Sequence, residues 1–485
     1  MSIVIGIDIG TTTLTALALD VAQGAVVAGE TVANDAEITA PADKARGRSE
    51  WNMERMVQRA CQALSAVSTC LGARVADVAG IGLTGQQHGV VLLGEDHRPV
   101  GPLINWQDRR GEELVPGTGR TWVAEAAARA AGTARHTGCK LATGFMGVTL
   151  FWLRAHDSLP RAAVACFAAD AVAAALAGTR PVTDPTHAAS SGLGDLLRRD
   201  WDHDLIAALE LPAALFPTVR EAGDRLGTLT PAMAVATGLP AGTPVCVALG
   251  DNQASFLGSV ATPRDSLLVN VGTGAQVACY TDDYRAAPPA ETRPFPRGGY
   301  LLVHAGLSGG RSYALLERFF RQVGEQVLGH APTTALYARM NALAAAVPPG
   351  ADGLCCEPFF AGTRDDPTRR GAWSGVSVEN FTPAHLARAL LEGMARALHE
   401  DAEGICRAAG FMPRRIVGAG NGLRENPLLA RLIAEPFGAP LLFPRHREEA
   451  AFGAALAAAS GLGLLPDLAA ASRLIHYQDA AGHEA

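Results

Sequence analysis

The chain has 485 residues, 48% of them hydrophobic and 18% charged, with a formal net charge of −7; this predicts two or three soluble globular domains and excludes a basic nucleic-acid-binding face. Lysine occurs only at positions 44 and 140 and no Gly-Lys-Ser/Thr is present, which excludes a Walker-type phosphate loop. Nine scattered cysteines without CxxC spacing, an N-terminus lacking a basic segment ahead of an apolar core, and apolar stretches broken by proline predict reduced thiols, no membrane span and a cytoplasmic setting.

In chain order, residues 3–20 predict a strand, a tight turn at Gly10-Thr11-Thr12-Thr13 and a second strand. Helical periodicity follows over 53–71 and 122–131, punctuated by an apolar strand over 78–83. Residues 226–250 contain Pro231, Pro240 and Pro244 and read as loop and strand, with a strand over 245–249. Residues 267–280 repeat the opening plan, with Gly272-Thr273-Gly274 as the turn. Two similar hairpins about 260 residues apart indicate a duplicated architecture of two related α/β domains. The boundary is placed at Leu-Pro-Ala-Gly-Thr, residues 239–243, giving domains 1–243 and 244–485. A helix over 383–409, a strand at Ile416-Val417, a glycine-rich turn and a helix over 427–437 complete the second half. Cys355-Cys356 reads as a pair of small buried hydrophobes, and His97, His203, His330 and His446 as surface or loop histidines without metal-ligand spacing.

Several turns carry residues suited to chemistry. Gly10-Thr11-Thr12 offers turn amides and hydroxyls to phosphate oxygens, and Asp8 at the strand end suits a hard cation such as Mg²⁺. Gly272-Thr273 could grip other phosphates of the same ligand. Asp251, after a strand and opening a helix, suits a general base. Gln87-His88 and Trp106-Gln107-Asp108 offer amide, imidazole, indole and carboxylate to a hydroxylated ligand. Gly418-Ala419-Gly420-Asn421-Gly422 lies between a strand and a helix; Leu423 stands where a dinucleotide fingerprint needs its third glycine. Taken singly, each is equally an ordinary turn, a capped helix or a surface ion pair.

As an ordered set covering nearly the whole chain, these motifs resemble the FGGY family of carbohydrate kinases, built on the actin-like ATPase (ribonuclease-H-like) fold. The set includes Gly6 to Thr12, Gly85 to Gly89, Trp106 to Arg109, Gly250 to Asn252, Gly272-Thr273, Gly362-Thr363-Arg364, Arg370-Gly371 and Gly418 to Asn421. The stretch from Gly371 through Gly375 to His385, Ala389 and Glu392 approaches the family's C-terminal signature. The resemblance implies ATP and Mg²⁺, an interdomain cleft, sugar bound by the first domain and nucleotide by the second. It implies Asp251 as catalytic base, Asp8 as the magnesium-side carboxylate, and Gln87, His88, Trp106 and Asp108 on the sugar. Thr11, Thr12, Gly272, Thr273, Gly310, Gly420 and Asn421 are implied on the nucleotide. Within the family, Trp106-Gln107-Asp108, Ala142-Thr143-Gly144-Phe145 with Thr149 to Leu153, and Gly250 to Ser255 resemble the sedoheptulokinase branch, while Gln87-His88 is also similar to xylulokinases. Glycine is common in the family where this chain has Ala419. Monomer and homodimer are both compatible with the sequence, and a non-kinase actin-like ATPase or sugar sensor is the reading of a different class.

Overall fold

The computed structural model describes residues 2–478 apart from 134–135, 161–162, 308, 331, 364–365 and 367. Arg364 of the Gly362-Thr363-Arg364 stretch therefore lies outside the described residues. Each half is built on a seven-stranded sheet. In the first, the strand Ile3–Ile9 pairs antiparallel with Thr13–Asp20 and parallel with Val78–Gly85. In the second, Ser266–Val271 pairs antiparallel with Ala275–Thr281 and parallel with Arg415–Ala419. The two halves thus repeat one topology, as the paired hairpins predict.

The side-chain alternation of Ile3–Ile9 shows why this strand is central. Ile3, Ile5, Ile7 and Ile9 enter one core with Met56, Ala60 and Leu64 of the helix Met53–Leu71. Val4 faces the other side, into a core shared with Leu268, Val417 and Phe452 of the second half. Gly6 and Gly82 on that face let the helix Glu449–Gly461 lie directly on the sheet. A Cβ on Gly6 would sit 1.9 Å from the Ala451 carbonyl oxygen, and one on Gly82 would sit 2.1 Å from that of Ala454. The same helix meets Asp251–Ser259 through Gly453, where a Cβ would lie 1.9 Å from the Ala254 carbonyl oxygen. We expect Gly453→Ala to destabilise the fold by about 1–3 kcal/mol through overpacking against backbone that cannot swing away, read as a lowered thermal midpoint.

Helix ends follow their caps. Asn52 accepts from the Arg55 N–H to start Met53–Leu71, and Thr382 accepts from the His385 N–H to start Pro383–Ala409, which ends at left-handed Gly410.

The structure corrects three expectations. Residues 226–250 hold a helix, Pro231–Thr237, because Pro231 occupies its first turn and Thr230 caps it. The sheet does not change at residue 243: Val245 pairs with Ile81 and Leu249 with Thr84, so Pro244–Cys246 and Leu249–Gly250 belong to the first sheet. Cys355 is exposed and only Cys356 is buried, as the alternating sides of the strand Cys355–Glu357 require. His446 lies in a loop, as expected, and is half-buried there. It stacks on Phe452 at 3.8 Å and donates Nε2–H to the Gly258 carbonyl at 2.8 Å, and burial lowers its pKa to about 4, so it tethers two helices as a neutral ring.

Candidate active site

Parallel register brings the sequence-distant motifs together. Asp8 pairs with Thr84 and Ile9 with Gly85, while Leu249 and Gly250 pair with the same Thr84 and Gly85. Three strands therefore end side by side and release Asp8, Gln86-Gln87-His88 and Asp251 at one edge. This is where ligands bind in sheets of this kind. In the second half, Asn270 pairs with Ala419, so Gly272-Thr273 and Gly420-Asn421 emerge together.

Asp251 is the first residue of Asp251–Ser259, with Gly250 as its cap. Its Oδ1 accepts from the Asn252 N–H at 2.7 Å, and the adjoining helix N-terminus favours negative charge. Burial nevertheless raises its pKa, outweighing that N–H, His187 and Arg293, each of which pulls it down. Asp8 reaches a pKa of about 7 because burial, Asp251 and Glu448 all disfavour its charge. Its Oδ1 is buried without a partner.

The Gln87 amide donates to the Thr186 carbonyl at 3.3 Å and to Gln253 Oε1 at 3.1 Å. His88 occupies the left-handed region at φ 75°, a conformation that costs of order 1–3 kcal/mol in a non-glycine residue and is typical of ligand clamps. Its ring stacks on Phe145 at 4.0 Å, and its Nδ1 lies 2.7 Å from the Ser190 carbonyl, which fixes the ring. Trp106 is 42% exposed and donates its indole N–H to Thr11 Oγ1 at 3.0 Å, joining its loop to the Gly10-Thr11-Thr12 turn.

Asp108 stands apart from these. It is fully buried, and its carboxylate takes four donors: the Ser49 N–H, the Arg110 N–H, Arg110 Nε–H and an Arg110 terminal N–H, at 2.8–3.0 Å. In this geometry it folds the loop beneath Trp106 and turns no unbonded oxygen to the cleft, unlike the expectation that it accepts from two hydroxyls.

Around the turns of the second half, close approach requires glycine at two positions. Gly420 has φ 84°, and a Cβ there would meet the Val271 carbonyl oxygen at 2.5 Å. A Cβ on Gly310 would meet the Gly272 carbonyl oxygen at 2.6 Å, an oxygen that already accepts the Gly310 N–H at 2.9 Å. Thr12 and Thr273 are exposed at the turn tips. Ala419 is fully buried in the core shared by the two halves, so its methyl points away from the turn surface.

No group of three or more metal-ligating side chains forms among the described residues. Mg²⁺ keeps several waters and takes one or two carboxylates plus substrate phosphates. The unpartnered Asp8 Oδ1, whose charge is disfavoured until a cation arrives, is the oxygen that fits it. Glu448, Arg293 and the Asp184–His187 segment lie outside the motifs named above, and Gln253 falls within the Gly250 to Ser255 stretch without an expected role. Of these, only the Asp-Pro-Thr pattern at 184–186, a helix-start signal, was visible locally.

Among the described residues, no helix is long and apolar enough to cross a membrane. Models of the FGGY carbohydrate kinase N-terminal and C-terminal domains match residues 3–258 and 267–462. The break between them agrees with the strand pairing that keeps Leu249–Gly250 in the first sheet. Sedoheptulokinase of Homo sapiens is 29% identical, covering 94% of this chain and 96% of its own. Glycerol kinase of Thermus brockianus is 32% identical, covering 80% and 77% respectively. The structure of xylulose kinase from Rhodospirillum rubrum superposes with a TM-score of 0.84 at 27% identity, covering 98% of this chain and 93% of that one. The domain matches and the duplicated sheets agree: the chain belongs to the FGGY family of carbohydrate kinases and has their two-domain, actin-like fold.

Proposed function

We propose that the protein transfers the γ-phosphoryl group of ATP to a primary hydroxyl of a ketose, with sedoheptulose as acceptor and sedoheptulose 7-phosphate and ADP as products. The observation that carries the reading is Asp251, held half-buried at a helix N-terminus beside Asp8, where the first-sheet strands end. Asp251 takes the proton of the attacking hydroxyl; the sugar oxygen then bonds to the γ-phosphorus as the bond to the β–γ bridging oxygen breaks. Gln87, His88 and Trp106 orient the sugar, and the turn amides and hydroxyls of Thr11, Thr12, Gly272, Thr273, Gly310, Gly420 and Asn421 hold the nucleotide. Bound Mg²⁺, on the Asp8 side, supplies neutralisation of phosphate charge. With so little covalent chemistry asked of the protein, positioning and electrostatics supply most of the rate.

Sedoheptulose is favoured by the Trp106-Gln107-Asp108, 142–153 and Gly250 to Ser255 stretches, and by similarity to sedoheptulokinase over nearly the full length of both chains. The test is ADP release against sedoheptulose, D-xylulose, D-ribulose, L-ribulose, glycerol and erythritol, with product mass determined. The expected result is a kcat/KM for sedoheptulose at least about tenfold above every other acceptor, about 1.4 kcal/mol of discrimination. A D-xylulose or glycerol maximum overturns the acceptor while leaving the kinase reading intact. Sugar-stimulated ADP release with no sugar phosphate overturns the kinase reading.

A further inference from the structure

Behind the cleft lies a fully buried polar segment that the mechanism above does not use. Asp184 caps the short helix Pro185–Ser190; its Oδ1 accepts from the His187 N–H at 2.9 Å and from the Thr186 hydroxyl at 2.8 Å. The Thr186 oxygen in turn accepts the Gly250 N–H at 2.8 Å. Gly250 is the cap of the helix that Asp251 opens, so this N–H belongs to the turn that aims the carboxylate. The Thr186 carbonyl also receives the Gln87 amide, and Gln87 continues to Gln253 in the first turn of that helix. A Cβ on Gly250 would lie 2.0 Å from Gln87 Nε2, so the two turns are in direct contact.

The anchor of this chain sets one imidazole between two carboxylates inside the protein. His187 Nδ1 lies 3.4 Å from Asp184 Oδ1 and 3.5 Å from Asp170 Oδ1, with all three side chains fully buried and the imidazole stacked on Phe167 at 4.7 Å. Burial works against the imidazolium, but Asp170 and Asp184 outweigh it and raise the His187 pKa. Burial also raises that of Asp184, to about 6. Asp170 Oδ1, Asp184 Oδ2 and both His187 ring nitrogens have no hydrogen-bond partner among the described residues, so what ties this segment to the Gly250 turn is the Asp184–Thr186–Gly250 chain of hydrogen bonds.

We infer that Thr186 is a positioning residue that couples the two sides of the chemistry: its hydroxyl sets the Gly250–Asp251 turn and its carbonyl sets Gln87. The inference rests on the reading of Asp251 as the base. A hydroxyl is required because the atom must donate to Asp184 and accept from Gly250 at once, which no apolar side chain can do. Losing it leaves the Gly250 N–H buried and unpaired and frees the turn to drift. A displacement of about 1 Å in such a turn costs about 10²-fold in rate.

The experiment compares Thr186→Ser, Thr186→Ala and Asp251→Asn in the full chain, measuring kcat, KM for ATP, KM for the preferred sugar and the thermal midpoint. We expect serine, which keeps the hydroxyl, to retain kcat within about threefold. We expect alanine to lose about 10- to 100-fold in kcat with KM for ATP unchanged. Equal kcat for the serine and alanine proteins, or parallel losses of kcat and thermal midpoint in both, overturns the inference. Asp251→Asn separates the two readings: an inactive Asp251→Asn with a fully active Thr186→Ala sinks the coupling alone, whereas an active Asp251→Asn sinks the base and the coupling with it. Should the alanine protein not accumulate, hydrogen exchange of the wild-type Gly250 amide decides. Strong protection supports the inference, and exchange at the rate of an open loop overturns it.

Discussion

Asp251→Asn lowers kcat by about 10²–10⁴-fold, the usual contribution of a positioned general base, and leaves ATP affinity within about twofold of the wild type. Asparagine keeps the size of the side chain and can still accept from the Asn252 N–H, so the helix start and the Gly250 cap survive. What is lost is the ability to take a proton. Coupled ADP release gives kcat, and calorimetric titration with nucleotide gives affinity; a variant retaining most of its kcat rules out the assigned role. The same residue contributes to the acid limb of kcat/KM in the wild type. Because burial holds its folded pKa above the ordinary carboxylate value, Asp251 loses its basic form as pH falls through that raised pKa. The Asp251 contribution to the acid limb therefore lies above pH ~3.9, where a solvated aspartate would titrate, and Asp251→Asn removes that contribution while leaving the one from Asp8.

Local signals made most of the frame legible. The helices Met53–Leu71 and Pro383–Ala409 carry Asn52 and Thr382 ahead of them and Gly72 and Gly410 after them, so their bounds follow from capping chemistry. Both phosphate-type hairpins were visible as apolar runs around Gly-Thr turns, and their similarity disclosed the duplication. What sequence could not supply is set by long-range pairing. That Asp8 and Asp251 share one edge follows from two strands, 240 residues apart, lying parallel to Val78–Gly85 in a common register. No periodicity records such a register. The domain boundary failed for the same reason: the break at 239–243 is a real turn, but the strand after it returns to the first sheet. Asp108 shows a different limit. A carboxylate in a polar run looks free until the fold brings Ser49, 59 residues away, onto one of its oxygens. Thr186 is the converse, a residue unremarkable in sequence that gains its meaning only from the Gly250 N–H.

Asp8→Asn is expected to pull activity and stability in opposite directions. Removing the carboxylate on the magnesium side takes away an oxygen ligand of the kind hard cations require; we expect kcat to fall by about 10²-fold or more and the magnesium concentration needed for half-maximal rate to rise. Stability in magnesium-free buffer moves the other way. Asp8 in the folded protein has a pKa of about 7 against an ordinary 3.8, so the native state holds its proton more tightly than the unfolded chain does. Stability therefore falls as pH rises from about 4 to 7, by at most about 4 kcal/mol from this group, and stays at that lower level above pH 7. Asparagine carries no charge to be repelled by Asp251 and Glu448 or penalised by burial. The thermal midpoint of the metal-free variant should thus exceed that of the wild type at pH 8 and match it near pH 4, while magnesium raises the midpoint of the wild type more than that of the variant. Equal midpoints at both pH values would show that Asp8 is not held in the strained charge environment described above. A variant with lower stability at pH 8 and undiminished magnesium-supported turnover would remove Asp8 from the metal's side of the cleft altogether.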